Sequence, residues 1–72
     1  MSRYWLGSPP KTCDCHHTPL GSVFWDMRTV MGPWGKLCRE GAFHGIGIGE
    51  TGTGKGQMYV KQDDGRWLKV EG

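Results

Sequence analysis

A chain of 72 residues with a net charge of +2 and 36% hydrophobic residues has room for one domain and little material for a core. Thirteen glycines, far above the usual share of roughly 7%, raise the entropic cost of ordering it. The length excludes most enzyme architectures, because a parallel sheet flanked by helices does not fit, and the mild charge demands neither nucleic acid nor membrane as partner. Ordering the chain at about 1.5 kcal/mol per residue costs on the order of 100 kcal/mol, which a core this small only just offsets. Such a domain needs a staple: disulfides, a metal or a partner.

Residues 1–12 read as an extended arm, because Pro9-Pro10 blocks helix and favours polyproline geometry. The arm carries Arg3, Tyr4, Trp5 and Leu6, which a solvated tail does not need. They either pack back on the domain or form a partner-binding epitope, since aromatic residues and arginine concentrate in hot spots. The arm has no apolar stretch of 7–15 residues, so it does not read as a secretory signal, and the expected location is the cytoplasm.

The domain proper spans 13–72 and opens with a tight knuckle, Cys13-Asp-Cys-His-His17. Two short β-prone runs, Ser22–Trp25 and Arg28–Met31, predict a hairpin turning at Asp26-Met27, with Gly32-Pro33 ending the second run. One or two helical turns are expected between Trp34 and His44. Residues 45–56 hold six glycines in twelve positions and read as a mobile loop.

The segment 57–70 predicts a second hairpin. Gln57–Lys61 and Arg66–Val70 flank a three-residue loop, Asp63 to Gly65, with Gly65 in the left-handed position. That register pairs Val60 with Leu68 and Met58 with Val70, so four apolar side chains share one face. Tyr59, Lys61 and Trp67 then share the opposite face, as a surface ridge or an interaction patch. Lys61, Arg66, Trp67 and Lys69 form a second candidate contact set.

Three cysteines are an odd number, and their clustering with histidines points to a metal rather than a disulfide framework. Zinc is commonly bound by two close pairs of Cys or His ligands arranged in a tetrahedron. Cys13-x-x-His16 supplies one pair at knuckle spacing, and Cys38 with His44 the second. Cys15 and His17 compete with their neighbours as ligands.

The segment Gly49-Glu-Thr-Gly-Thr-Gly-Lys55-Gly56 nearly matches the phosphate-loop pattern. Gly56 replaces the hydroxyl residue that would bind magnesium, and the following Gln57–Val60 reads as a strand instead of a helix. Nucleotide hydrolysis is therefore not expected, and no other catalytic arrangement is recognisable.

From Cys13 to Lys61 the chain resembles a family of very small phage-encoded proteins. The shared residues are Cys13, Pro19-Leu20, Phe24, Asp26, Thr29, Gly32-Pro33-Trp34, Cys38, and Gly52-Thr-Gly-Lys-Gly-Gln57 with Tyr59. His16 stands where that pattern has a second cysteine, and Gly41 where it has another. The size, the tyrosine–tryptophan arm and the basic tail are similar to a phage transcription regulator. The resemblance implies binding to host bacterial RNA polymerase, at the amino terminus of its largest subunit near the flap and the RNA exit channel. It further implies shut-down of host promoters, read-through of terminators and action in the host bacterial cytoplasm, with contact to nascent RNA as an additional expectation.

The expected fold is a small β-rich (α+β) domain, zinc-knuckle-like, with β-hairpins and an extended N-terminal arm. The expected function is binding, not catalysis. The alternative is a zinc-knuckle nucleic-acid binder that stacks bases on its aromatics.

Overall fold

The run Val23–Arg28 buries Phe24, Trp25 and Met27, and in the computed structural model, which describes residues 3–72, it is strand β1, one of the two inner strands of the sheet. β2 (Trp34–Leu37), helix α1 (Arg39–Phe43), β3 (Gly56–Lys61) and β4 (Trp67–Glu71) follow. The four strands form one antiparallel sheet in the order β2-β1-β3-β4. The fold is thus small and β-rich, with one short helix. Met1 and Ser2 of the arm lie outside the described residues.

The first hairpin does not turn at Asp26-Met27. Those residues pair with Lys36 and Gly35 inside the β1–β2 ladder. The turn lies at 30–33, where the Thr29 N–H and hydroxyl both donate to the Pro33 carbonyl at 3.0 and 2.7 Å. Proline has no N–H for a ladder, so Gly32-Pro33 makes the turn instead of ending a strand.

The second hairpin has the expected loop. Gln62 N–H donates to the Arg66 carbonyl at 2.7 Å, Gly65 has φ 88°, and Val60 faces Leu68. A bulge at Met58/Tyr59 then shifts the register, so Met58 faces Glu71, not Val70. Val70 is left 48% exposed.

Apolar side chains cover both faces of the sheet. On one face Trp25, Met27, Leu37, Cys13 and Ala42 form a core cluster, with Ile46, Ile48 and Met58 packed against it. On the other, Phe24, Tyr59 and Trp67 are buried beneath Trp5. The face expected to be an outer ridge of Tyr59 and Trp67 is therefore a second core, because the arm folds back over it.

The arm also closes an edge. Trp5 N–H donates to the Trp67 carbonyl at 2.9 Å, Lys69 N–H to the Arg3 carbonyl at 2.6 Å, and Tyr4 bridges to Leu68. The opposite edge, β2, is covered by the knuckle. Asp14 N–H donates to the Lys36 carbonyl, and Lys36 N–H donates to an Asp14 carboxylate oxygen, both at 2.9 Å. Neither edge presents a bare ladder to another chain.

The glycine-rich segment is not a free loop over its first half. Val30 N–H donates to the Ile46 carbonyl at 2.8 Å and Ile48 N–H to the Arg28 carbonyl at 3.1 Å. A Cβ at Gly47 would meet the Ala42 carbonyl oxygen at 2.5 Å, so glycine here permits the segment to lie against α1. Beyond it, Gly52–Gly56 makes a tight turn that leads into β3, with no helix to complete a phosphate loop.

Candidate metal centre

Three donors converge where the knuckle meets the β2–α1 junction. Cys13, His16 and Cys38 hold their ligand atoms within 4.8 Å of one another, close enough to bind a metal ion. His16 Nδ1 lies 3.2 Å from Cys38 Sγ and 3.7 Å from Cys13 Sγ. Cys13 is buried, Cys38 partly buried and His16 exposed, so the group opens to solvent on the histidine side. All three cysteines are free thiols.

Local backbone geometry explains the convergence. The Cys13 N–H donates to the Thr18 carbonyl at 2.8 Å and the His17 N–H to the Cys13 carbonyl at 2.7 Å, closing residues 13–18 into a tight loop. His17 takes φ 60°, the left-handed conformation that a chain reversing so quickly requires. Cys38 is the N-cap of α1, its sulfur accepting from the Gly41 N–H at 3.4 Å. A helix of five residues has no independent stability, so this cap and the buried Ala42 hold it in place.

The two sulfurs differ in how readily they carry negative charge. Cys13 Sγ accepts from the Cys38 N–H at 3.2 Å and the Cys15 N–H at 3.4 Å. Burial pushes the Cys13 thiol up. The N–H groups of Cys38, His16 and Cys15, together with the Cys38 thiol, outweigh that and lower it from 9.0 to about 7. Cys38 goes the other way. Burial raises it, and the neighbouring Cys13 sulfur raises it further. A thiolate therefore forms more readily at Cys13 than at Cys38, and a bound cation would favour loss of the Cys38 proton.

Gly41 is the contact point between helix and knuckle. A Cβ there would lie 3.2 Å from Cys15 Cβ and 3.3 Å from Cys13 Sγ. Glycine at this position lets the helix approach the sulfurs.

His44 does not join the group. It caps the C-terminus of α1, where its N–H donates to the Glu40 carbonyl at 2.7 Å, and it lines a cleft of about 460 Å³ with Trp25 and Phe43. The helix that places Cys38 at its start carries His44 to its far end. Cys15 and His17 also place no donor atom within the group, and Cys15 packs against the core.

The arm and tail residues are brought together by the Tyr4–Leu68 bridge. Arg3, Lys61 and Arg66 are exposed, Lys69 is half-buried, and Leu6 is 77% exposed. The Arg66 guanidinium lies 4.0 Å from the Tyr4 ring centre and pairs with Asp64 at 2.7 Å. Trp67, only 5% exposed, cannot offer its ring to a partner. Trp5 is half-buried against Phe24 and Tyr59, with ring centres at 5.5 and 5.4 Å. Both tryptophans belong to the second core, a role that sequence alone does not distinguish from a surface epitope.

Sequence reasoning missed the exposed hairpin tip of Val30 and Met31, each 71% exposed, with Trp34 at 45%. The signal was the Gly32-Pro33 turn, which the expected hairpin placed at a strand end. Among the described residues, no helix is long and apolar enough to cross a membrane. Compared with family models, curated proteins and solved structures, the chain matches none.

Proposed function

We propose that the protein is a zinc-stapled binding module that docks on host bacterial RNA polymerase and redirects transcription. The carrying observation is the convergence of Cys13, His16 and Cys38, which joins the knuckle to the β2–α1 junction across the first core. Zinc fits the donor chemistry, two thiolates and an imidazole. Zn–S near 2.3 Å and Zn–N near 2.0–2.1 Å imply a tetrahedral S···N edge of about 3.6 Å. The separations of 3.2 and 3.7 Å lie on either side of it.

A domain fixed in this way acts by presenting a surface. Arg3 of the arm lies beside Lys69 of β4, Arg66 precedes β4 in the turn and Lys61 ends β3 opposite Trp67, while Leu6 of the arm is exposed. Polymerase as the partner rests on the resemblance of the chain's size, its Tyr4-Trp5 arm and its basic tail to a phage transcription regulator. Occupying the flap and exit-channel region would hinder promoter recognition and terminator-hairpin formation. The alternative, direct nucleic-acid binding, uses exposed aromatic platforms; Phe24, Tyr59 and Trp67 are buried, and Trp34 and Phe43, at 45% and 40% exposure, are the rings it would use.

The test uses purified bacterial RNA polymerase and the zinc-loaded protein in a pull-down. Specific retention that is lost in the double variant Arg3→Glu, Leu6→Asp supports the reading. No retention of polymerase, or tight RNA binding with a steep salt slope instead, contradicts it.

A further inference from the structure

We infer that zinc in this site keeps one coordination position for a soft monodentate donor, a thiolate or an imidazole, supplied from outside the chain. The inference rests on the zinc reading and deepens it. Zinc takes four ligands, and where the protein offers three the fourth position is held by water or another exchangeable external donor. Here the described residues offer three: Cys13, His16 and Cys38.

The neighbouring donors among the described residues are placed elsewhere. His44 is fixed at the far end of α1, with its backbone N–H bonded to Glu40. The Cys15 sulfur lies 3.2 Å from where a Gly45 Cβ would stand and packs against the first core. His17 sits in the left-handed turn and contributes no atom to the group. The Asp14 carboxylate is engaged by the Lys36 N–H on the β2 edge.

The open side can be reached. His16 is exposed and Cys38 only partly buried, whereas Cys13 closes the inner side at 0% exposure. Zinc with two thiolates and one neutral imidazole carries no net charge, so a second imidazole leaves the site neutral and a third thiolate takes it to a single negative charge. Such a position would let a cysteine or histidine of a docked protein, or of a second copy of this chain, complete the tetrahedron.

The experiment loads the full chain with Co²⁺ in place of zinc and titrates imidazole as the probe while recording the visible spectrum. Binding of one Co²⁺ with two-thiolate charge-transfer absorption, followed by a saturable imidazole-dependent shift of the d–d bands, is expected. The same shift is expected in Cys15→Ser, His17→Ala and His44→Ala. A tetrahedral spectrum that imidazole leaves unchanged, or one lost in any of those three variants, overturns the open position while leaving the zinc site standing. Failure to bind Co²⁺ or Zn²⁺ overturns both. Sedimentation of the zinc protein identifies the source of the donor. A zinc-dependent dimer assigns it to a second copy, and a zinc-loaded monomer that still takes imidazole leaves it to another partner.

Discussion

The two faces of the sheet are held by different physics. One is closed by rings: Phe24 stacks on Tyr59 at 5.0 Å, Trp67 meets Phe24 edge-on at 4.7 Å, and Trp5 covers both Phe24 and Tyr59. The other has a knuckle, a five-residue helix and a glycine-rich segment, none of which is stable alone, laid over Trp25, Met27 and Leu37. The aromatic face draws on burial, which needs no cofactor. The pieces covering the other face contribute only Cys13 and Ala42 as fully buried side chains, so on the zinc reading the ion acts there as a cross-link. On the zinc reading, the chain divides its stability between a permanent half and a half that depends on loading.

That contrast can be broken most strongly from the aromatic side. Phe24→Ala removes a fully buried ring and should cost about 3–5 kcal/mol in urea unfolding. The loss should be of similar size with zinc bound or chelated. A loss confined to the zinc-loaded protein would mean that the two faces are not separable.

The metal side comes next. At free zinc 100-fold above Kd, binding should add about 2.7 kcal/mol to stability, and a chelator should remove it. Hydrogen exchange should then accelerate at the amides of Cys15, Cys38 and Gly41, which donate to the sulfurs, more than at Phe24 or Tyr59 in the strands. Uniform acceleration would show one cooperative unit instead of two halves.

Trp5→Ala deletes two edge-to-face contacts at roughly 0.5–1.5 kcal/mol each, so a loss on the order of 2 kcal/mol is expected. The bound zinc stoichiometry should not change. Loss of zinc in this variant would mean that the arm supports the metal face through the sheet.

The smallest effect has the opposite sign. Burial raises the Asp26 carboxyl above its ordinary value of 3.8, Lys36 pulls it back, and Asp14 adds to the rise. A raised folded-state pKa means that the protonated form is favoured on folding. That contribution is present below the unfolded value and is lost as pH rises through the folded one. Asp26→Asn should therefore raise the melting temperature at pH 7, and the gain should vanish below about pH 4. An equal gain at both pH values would show that charge is not the cause.

Much of the sheet was legible because the hairpin at 57–70 carries its own turn chemistry in Asp63-Asp64-Gly65. The bulge that turns Val70 outward was not, since it arises from how β4 meets β3 and leaves no mark on alternation. The turn at 30–33 was misplaced because Asp26-Met27 interrupts an apolar run, yet Asp26 merely sits opposite Lys36 in a continuous strand. At the site, the spacing of Cys13, His16 and Cys38 was readable. The exclusion of His44 was not, because it depends on where a single helical turn carries the chain. The glycine-rich segment looked free because its anchor, the contact of Gly47 with Ala42, consists of backbone that sequence patterns do not record.

The central claim is that Cys13, His16 and Cys38 bind one zinc ion and thereby secure one face of the sheet. The most direct measurement is native mass spectrometry of the purified chain and of His16→Ala, whose exposed side chain can be removed without opening the core. The account predicts one zinc per chain, lost or sharply weakened in the variant. A metal-free chain that stays folded after zinc is supplied, or full zinc retention by His16→Ala, would contradict it.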